Sequence, residues 1–582
     1  MQMLKRFKSL LGLFNKREKR NALILLILIF IGGIVETLGI GVILPFTTVL
    51  LDQNSIAAYP FLQSLSEVPW IGGYRRFVVL MCVLLILIFI FKSVYMFFLI
   101  YVQNRFIRNR HVELTRRLFQ SYIYKPYEYF FKKNTAELQR NVNSLVHAAV
   151  NGLFMSGLSL LTELVVIVFI LTLLFIIDPV STLGITVVLG GTVLLIYHVL
   201  KNKLSRSAVK QNVHGINMVK LVNEGLGCIK DIKVLGRESN FLSSYKASGA
   251  IYAKQTAFYN LVQQAPRLLI ETIAVSGLIL IVVINTLRSP DMNAALPVIA
   301  LFGMAAIRVM PSLNRIMQQI TAIRYNSVFF DRIYPDLREA TNKQFQQSGN
   351  QNIAPLKFEE KIEISGLTYR YPETEAVVLD DVRLSIARGE AVGIVGSSGA
   401  GKTTFVDILL GLLMPEKGSI LVDGADIRDN LAAWRKNIGY VPQHIFIVDD
   451  TVAANVALGV SRDKIDREKV WAALETANLK SFVLSLADGA DTVVGEKGVR
   501  FSGGQQQRLG IARALYDNPD VLVLDEATSA LDTESEKVIS EAIAAIGSAK
   551  TMVIIAHRLN TLEKCDTIYK VEDGKMVVAP LR

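Results

Sequence analysis

Long apolar runs alternate with charged segments through the first 320 residues of the chain. A helix crosses about 30 Å of hydrocarbon with about 20 residues, and six of these runs are long enough to do so. The pattern therefore predicts membrane-spanning helices near residues 22–50, 77–102, 153–177, 180–200, 268–287 and 297–320. The first run is too long for a signal peptide and lacks a small-residue cleavage site, so we expect it to remain as a helix.

Two long polar segments, residues 104–150 and 201–266, separate pairs of these spans. They are not rich in Gly or Ser, and they keep apolar residues at helical spacing, as in HVELTRRLFQSYI. We expect the helices to continue out of the membrane and to turn around near residues 125–136 and 224–232. Such turns are contact points for a cytoplasmic domain.

After the last predicted span, the chain has no further long apolar run. Charged and apolar segments alternate there as in a soluble α/β domain. The predicted fold class is a membrane α-helical domain of six transmembrane helices with long cytoplasmic extensions, followed by an α/β P-loop domain. The predicted boundaries are residues 1–335 for the membrane domain, 336–358 for a polar, Gln/Asn-rich linker and 359–582 for the nucleotide-binding domain.

Composition and charge agree with this division. Hydrophobic residues make up 51% of the chain, charged residues only 20%, and the mean hydropathy is +0.37, which excludes an ordinary soluble enzyme. The three cysteines are far apart, so neither a disulfide framework nor a metal site is indicated.

The net charge of +12 is concentrated in segments on one predicted side of the membrane. Residues 1–20, 104–150 and 201–266 carry seven, nine and ten Lys or Arg, each against three or fewer acids, whereas the turns at 176–180 and 287–294 are nearly neutral. The positive-inside rule places the basic segments and both termini in the cytoplasm. The charge therefore does not indicate a nucleic acid partner.

The first outward loop, residues 51–76, contains a proline that could open a short helix. Pro60 would begin it, with Phe61, Leu62 and Leu65 on one face. Two interpretations stay open: an amphipathic helix at the lipid surface, or a packed extracellular loop.

The carboxyl-terminal domain contains a phosphate-binding loop between an apolar strand and a helix. The residues that match G-x-x-x-x-G-K-[ST] are Gly396, Ser397, Ser398, Gly399, Ala400, Gly401, Lys402 and Thr403, and Thr404 follows. Glycines let backbone N–H groups surround phosphates, the lysine reaches the outer phosphates, and the Thr403 hydroxyl suits Mg²⁺.

A second strand, VLVLDEATSALD at 521–532, ends in paired carboxylates. Asp525 at the strand end suits Mg²⁺, and Glu526 is placed to orient or deprotonate the attacking water. The pattern predicts ATP hydrolysis.

Between these motifs, RFSGGQQQR at 500–508 resembles the signature motif of ATP-binding cassette (ABC) proteins, with Phe501 where leucine is usual. A serine and two glycines opening a helix also form an anion-binding nest. The resemblance implies that Ser502, Gly503, Gly504 and Gln505 bind the γ-phosphate of the nucleotide held by a second subunit.

Further cassette motifs follow in the family's order. The resemblance implies that Tyr371 in YRYP stacks on adenine, that Gln443 in YVPQ contacts Mg²⁺ and water, and that Asp532 closes the D-loop. It also implies that His557 in IIAHRL contacts the γ-phosphate, and that Glu496 in VGEKG belongs to the exporter X-loop.

The whole chain resembles ABC exporters of the type IV fold. One intact cassette and one set of six spans predict a homodimer with two equivalent sites, because each site is built across two subunits. The expected cofactors are ATP and Mg²⁺. The expected activity is a transport-coupled ATPase, a translocase, in a bacterial inner membrane with the nucleotide-binding domain in the cytoplasm.

Four cations lie inside or at the start of predicted spans: Lys92, Arg267, Arg308 and Arg315. A cation at the centre of a span costs about 2.5–3.5 kcal/mol, so it should face protein, water or an anionic ligand. Arg308 and Arg315 are nearly two turns apart and share one helix stripe, with Pro311 between them. Either Glu36, Glu163 and Glu271 pair with these cations, or the cations line a cavity for an anionic headgroup.

The membrane half resembles bacterial lipid-linked oligosaccharide flippases of protein N-glycosylation through ETLGIGVILPF at 36–46, PRLLIE at 266–271 and RVMPSLNRI at 308–316. The resemblance implies that the arginines handle a pyrophosphate and that the loop at 51–76 engages a polyprenyl tail. Lys92 departs from the expected arginine and lacks its bidentate fork. The alternatives are a general lipid, peptide or multidrug exporter, and an ATP-gated channel or regulatory ABC membrane protein.

Overall fold

The computed structural model describes residues 6, 9, 11–51, 53, 56, 59–66, 73–288, 292–340, 353–495, 501–526, 550–556, 562 and 565–579. Contacts between its residues divide the protein into two compact units. The first comprises residues 1–125 and 132–348, and the second comprises residues 126–131 and 349–582.

The first unit is helical. Its α-helices are α1 (Lys16–Gly41), α2 (Ile43–Leu51), α3 (Pro60–Ser66), α4 (Tyr74–Ile123), α6 (Thr135–Arg140), α7 (Val146–Ala149), α8 (Ser156–Ile177), α9 (Pro179–Gly227), α10 (Ile229–Leu235), α11 (Glu238–Arg288) and α12 (Met292–Ala340). Helix α5 (Tyr129–Lys132) belongs to the second unit except for its last residue. Two π-helical turns, Asn141–Leu145 and Val150–Met155, join α6, α7 and α8 into one continuous rod.

Local sequence explains where these rods begin and end. The Asp178 side chain accepts a hydrogen bond from the Ser181 amide at 3.2 Å, and Pro179 occupies the first helical position of α9. Asn134 accepts from the Ala136 amide at the start of α6, and Gly236 ends α10 in the left-handed conformation. The predicted turns near 125–136 and 224–232 are confirmed, since α4 and α9 end there.

Among the described residues, four helical stretches are long and apolar enough to cross a membrane: Lys16–Leu50, Tyr74–Ile123, Thr135–Ile177 and Pro179–Gly227. The predicted fifth and sixth spans lie within α11 and α12. Large apolar side chains such as Phe97, Val168 and Leu194 are exposed on these helices, as expected for contact with lipid. Buried residues of α1, α8, α9, α11 and α12 form the core between them.

The short helix predicted at Pro60 is present as α3. Leu62 is buried against Val49, Phe77 and Met81, which favours the packed-loop interpretation at this residue. The side chains of Phe61 and Leu65 lie outside the described residues.

The second unit contains two sheets. Their strands are β1 (Lys361–Arg370), β2 (Val377–Ala387), β3 (Ala391–Gly396), β4 (Lys417–Val422), β5 (Ala425–Asp426), β6 (Ile438–Val441), β7 (Val521–Asp525), β8 (Thr551–Ile555), β9 (Thr567–Glu572) and β10 (Lys575–Ala579). One sheet has the order β2-β1-β4-β5 and is antiparallel. The other has the order β10-β9-β3-β8-β7-β6 and is parallel except at β10.

The helices of this unit are α13 (Lys402–Leu409), α14 (Leu431–Lys436), α15 (Val452–Val456), α16 (Arg467–Thr476), α17 (Lys480–Leu484) and α18 (Gly503–Leu515). The central strands β3, β7 and β8 are almost wholly buried, as continuous apolar runs in a parallel sheet should be. The carboxyl ends of β3 and β7 point to the same edge of the sheet, where ligands bind in folds of this type.

The predicted domain boundaries stay predictions. Helix α12 continues to Ala340, five residues into the predicted linker, and β1 begins at Lys361. Most of the predicted linker, residues 341–352, lies outside the described residues.

Candidate functional site

The phosphate-binding loop connects β3 to α13. Gly396, Gly399 and Gly401 all have positive φ, at +156°, +82° and +105°. A Cβ at Gly401 would lie 3.1 Å from the Val378 carbonyl oxygen, in a backbone conformation that side chains rarely adopt. The glycines of the motif are therefore required by the path of the backbone itself.

Lys402 lies over this loop. Its ammonium donates hydrogen bonds to the carbonyl oxygens of Gly396 and Ser397, both at 2.9 Å, and the residue is only 5% exposed. The positive charge is thus held at the place where the motif would receive phosphate oxygens.

The two threonines after Lys402 have different surroundings. Thr403 is exposed, so its hydroxyl is accessible to a ligand, whereas Thr404 is buried. The Thr404 hydroxyl is 2.9 Å from the hydroxyl of Tyr371, whose ring packs edge-on against Tyr369. This bond fixes the position of the predicted adenine-stacking ring relative to the loop.

The paired carboxylates at the end of β7 have distinct positions. Asp525 is buried inside the sheet edge, whereas Glu526 has φ +48° and turns away from the strand. A non-glycine residue in the left-handed region is strained, and such strain concentrates at functional sites. The turn brings Oε2 of Glu526 to 2.7 Å from Nε2 of Gln443, which donates the hydrogen bond.

Negative charge accumulates around Asp525. Burial and repulsion by Glu526 raise its pKa, while a hydrogen bond from the Tyr440 hydroxyl and the charge of Lys402 lower it. Burial and the charge of Asp525 raise the pKa of Asp407 on α13 to about 6. A divalent cation would relieve this repulsion, and hydroxyl, amide and carboxylate oxygens from Thr403, Gln443 and Asp525 are the donors that Mg²⁺ prefers.

The signature motif opens α18. The Ser502 hydroxyl accepts from the Gln505 amide at 3.3 Å, and the Gln505 side chain accepts from the Ser502 amide at 2.8 Å. This capping box holds Gly503 at the exposed helix start, while Gly504 is buried. Phe501 is buried against Phe482, so the larger ring that replaces leucine is used in packing.

Within the first unit, Glu36 of α1 is the centre of one half of a charge network. It is 3% exposed, and its Oε1 is 2.9 Å from the Lys92 ammonium of α4. The same oxygen accepts a hydrogen bond from Nε of Arg308 on α12. Helices α1, α4 and α12 are therefore joined by one carboxylate.

Glu163 of α8 is the centre of the other half. Its Oε1 accepts from Arg315 at 2.7 Å, and its Oε2 accepts from the buried Ser312 hydroxyl at 2.5 Å. Ser312 in turn accepts from Arg308 at 2.7 Å, and Arg308 lies 3.6 Å from Glu163. The network therefore runs continuously from Lys92 to Arg315.

Arg267 pairs with a residue outside this network. Its Nε donates to Glu271, one turn along α11, at 2.6 Å, and both side chains are exposed within the single chain. Of the two interpretations of the intramembrane cations, internal pairing with Glu36, Glu163 and Glu271 is thus realised in this structure. Arg315 nevertheless keeps 54% of its side chain exposed.

Comparisons with known proteins agree with this architecture. The family described as ABC transporter transmembrane region matches residues 22–303, and the family described as ABC transporter matches residues 379–529. An ATP-dependent lipid A-core flippase of Burkholderia orbicola (strain AU 1054) is 30% identical over 482 residues, which cover 82% of this chain and 78% of the relative.

The chain belongs to the ABC transporters. A second ATP-dependent lipid A-core flippase, from Alkalilimnicola ehrlichii, is 30% identical over 477 residues, covering 80% of this exporter and 78% of the relative. A bacterial Atm1-family ABC exporter with ATP bound matches with a TM-score of 0.78 and 22% identity over 97% of this chain and 95% of the other. The exporter therefore has the fold of an ABC exporter half-transporter and an ATP-driven, transport-coupled ATPase activity.

Some predicted residues of the exporter fall outside the described residues: Glu496, Asp532 and His557. Sequence reasoning also missed three contributors that the structure brings in. They are Tyr440, which bonds Asp525, the buried Asp407, and Ser312, which accepts a hydrogen bond from Arg308 and donates one to Glu163. Ser312 could have been found, because it lies four residues after Arg308 and three before Arg315, on the same stripe of α12.

Proposed function

We propose that two copies of this exporter form an ATP-driven flippase that moves a polyprenyl-pyrophosphate-linked oligosaccharide from the cytoplasmic to the outer leaflet. The observation that carries the proposal is the half-exposed side chain of Arg315 at the end of the intramembrane network. Three cations, Lys92, Arg308 and Arg315, face two carboxylates, so one positive charge per subunit lacks an internal counter-charge within the network.

An unneutralised cation within a membrane span is costly, and such residues mark substrate pathways. A guanidinium offers several N–H donors in a plane and binds phosphate oxygens in pairs. A pyrophosphate head therefore matches the excess charge. Its polyprenyl tail would remain in the bilayer, consistent with the apolar side chains that the helices expose.

The two similar flippases named above support a lipid as the cargo class.

In the proposed cycle, the loop from Gly396 to Thr403 holds ATP, with Ser502, Gly503, Gly504 and Gln505 of the partner subunit completing each site. Bound Mg²⁺, held by Thr403, Gln443 and Asp525, would neutralise phosphate charge. Glu526, held by Gln443, orients and deprotonates the attacking water. Asp532 and His557 are proposed in the family's roles.

The test is flipping of a polyprenyl-pyrophosphate glycan by the purified protein in proteoliposomes. Arg315→Gln removes the excess charge through one half-exposed residue, and Arg308→Ala with Arg315→Ala removes both arginines of the stripe. We expect both variants to lose most of the flipping while ATP hydrolysis without cargo continues. Arg338→Gln, an exposed arginine at the cytoplasmic end of the same helix, is the matched control. Unchanged flipping in the double variant would refute the cargo assignment.

A specific observation favours a second candidate, a general lipid or multidrug exporter. An apolar cavity of about 160 Å³ lies between α8, α9, α11 and α12, lined by side chains such as Ile167, Leu189, Phe302, Val309 and Met310. It would accept an apolar group of moderate size. This candidate predicts that apolar compounds stimulate ATP hydrolysis equally in the parent and in Arg315→Gln.

A further inference from the structure

A buried arginine lies unpaired in the helical extensions of the first unit. Arg140, at the end of α6, is only 7% exposed. Its Nη1 donates a hydrogen bond to the Asn212 carbonyl oxygen at 2.8 Å. Among the described residues, no carboxylate lies within 4.0 Å of its guanidinium. The nearest acid in sequence, Glu137, instead bonds to Arg332 at 2.7 Å.

The fold makes room for this cation. A Cβ at Gly215 of α9 would lie 1.5 Å from Nη1 of Arg140, in the space that the guanidinium occupies. A larger residue at position 215 would displace the guanidinium from this place. Burial lowers the pKa of Arg140, because a charge removed from water is unfavourable when no counter-charge lies nearby. The space left by Gly215 therefore admits a cation that has no carboxylate partner among the described residues.

Arg140 lines a cavity of about 420 Å³ between α6, α9 and α11. The wall combines polar and apolar residues, among them Gln139, Ser144, Asn223, Tyr252, Met218 and Val219. No Asp or Glu contributes to this wall. A cavity with one cation, several neutral hydrogen-bonding groups and no acid suits an anion attached to a small polar molecule.

The distance of the cavity from the membrane indicates whether a soluble molecule or a lipid would reach it. Arg140 precedes the predicted third span by 13 residues, and Gly215 follows the fourth by 15. At 1.5 Å per helical residue, both lie about 20 Å outside the hydrocarbon. The headgroup layer extends only about 5–8 Å beyond the hydrocarbon on each side. The cavity therefore opens to the cytoplasm.

We propose that this cavity is a binding site for a small cytoplasmic solute that carries a phosphate or carboxylate group, with Arg140 as its anion-binding residue. An anion bound there ties α6, α9 and α11 together by supplying the counter-charge that the chain omits. The site lies within the first unit and is independent of the cargo assignment.

The experiment measures thermal unfolding of the full-length protein in nanodiscs without nucleotide. Sodium phosphate, glucose 6-phosphate and sodium acetate are each compared with sodium chloride at equal ionic strength. In the parent we expect at least one of the three to raise the Tm by several degrees over chloride. Phosphate bound at the nucleotide loop contributes equally to all variants, so the difference between variants reports Arg140.

Two kinds of variant test the assignment. Arg140→Gln and Gly215→Ala remove or displace the guanidinium and should abolish the shift. Ser144→Asp is the gentler variant, because it adds a carboxylate to the wall of the same cavity. It should raise the Tm without any added anion and suppress the anion-dependent shift. Asn143→Asp, one residue away, exposed and outside the cavity wall, is the matched control and should retain the shift.

An equal anion-dependent shift in the parent and in Ser144→Asp would overturn the proposal, as would the absence of any shift in the parent. Nanodiscs with and without phosphatidylglycerol provide the remaining arm. If stabilisation through Arg140 requires the anionic lipid and no soluble anion replaces it, the ligand is a headgroup and the soluble-solute proposal is wrong.

Discussion

Gln443 donates a hydrogen bond from Nε2 to Oε2 of Glu526 at 2.7 Å, across the carboxyl ends of strands β6 and β7. The bond joins a residue predicted to contact Mg²⁺ and water to the predicted general base. It therefore holds the Glu526 carboxylate beside Gln443, and substitutions at the two positions can test the two predicted roles separately.

Glu526→Gln should abolish ATP hydrolysis while ATP binding persists. The amide keeps the size and hydrogen-bonding reach of the side chain but cannot accept a proton, so we expect kcat to fall by at least about 100-fold. Steady-state phosphate release and nucleotide binding measure the two properties. Glu475→Gln, an exposed change at the same unit's surface, is the control. Residual hydrolysis within tenfold of the parent would remove Glu526 from the role of base.

Gln443→Ala should have a smaller effect on the same step. It removes one hydrogen bond to a charged group, worth about 1.5–3 kcal/mol, which corresponds to a loss in kcat of about ten- to a hundredfold. His444→Ala, the exposed neighbour in the same loop, should leave kcat within about twofold of the parent. Equal kcat values for the two variants would show that the hydrogen bond has no part in hydrolysis.

Glu163→Gln should destabilise the membrane unit. Glu163 is buried and accepts hydrogen bonds from both Ser312 and Arg315, so the variant removes the carboxylate partner of Arg315 and leaves Glu36 as the one acid of the network. Breaking a fully buried pair costs about 3–5 kcal/mol, and we expect a smaller cost here because the Arg315 side chain is 54% exposed. The Tm of the full-length protein in nanodiscs should fall, whereas Glu224→Gln, which breaks an exposed pair with Lys220, should leave it nearly unchanged. The same small effect from both would show that the network contributes little to stability.

Asp407→Asn should remove a pH dependence of stability. Burial and Asp525 raise the Asp407 pKa to about 6, so the folded state binds its proton more tightly than the unfolded state. The free energy of unfolding of the parent should therefore fall as the pH rises from about 4 to about 6. In the asparagine variant this fall should be absent.

Above pH 6 the Asp407→Asn variant should be the more stable protein, by up to about 3 kcal/mol at 1.36 kcal/mol per pKa unit. Fluorescence of the buried Trp434, measured with EDTA to exclude Mg²⁺, reports this unit. Asp429→Asn, an exposed carboxyl, is the control. A variant that loses stability at pH 7.5 would show that Asp407 acts as a charged, stabilising residue.

The local structure of the phosphate-binding loop could be predicted because it depends on a short motif. The spacing of glycines from Gly396 to Gly401 requires a loop with positive φ angles, and Asp525 ends a strand with a continuous apolar run. Helix periodicity similarly predicted the continuous rods and the turns at 125–136 and 224–232. These features depend on neighbours in sequence, which the chain displays directly.

Contacts between distant segments could not be predicted in the same way. The pair between Arg267 and Glu271 is local, because the two residues are four apart on α11. The partners of Lys92, Arg308 and Arg315 depend instead on how α1, α4, α8 and α12 pack. Arg140 could not be singled out in the sequence, because it is one of many basic residues in a predicted cytoplasmic segment. Its burial beside Gly215 results from the packing of α6 against α9.

Cys565 should resist alkylation that modifies Cys228. Cys565 is buried in the core of the second unit, and burial together with Asp566 raises its pKa to about 11. Only the thiolate reacts, so at pH 8 about one Cys565 thiol in a thousand would be in the reactive form, even before steric exclusion is considered.

Cys228 is partly exposed at the end of α9. With N-ethylmaleimide and peptide mass spectrometry, we expect Cys228 to be labelled within minutes and Cys565 to be labelled only after denaturation. Cys228→Ser should remove the rapid labelling of the cytoplasmic thiols and leave Cys565 protected. Rapid labelling of Cys565 in the native protein would mean that the packing of its sulfur over Gly393 of β3 opens on the time scale of the reaction.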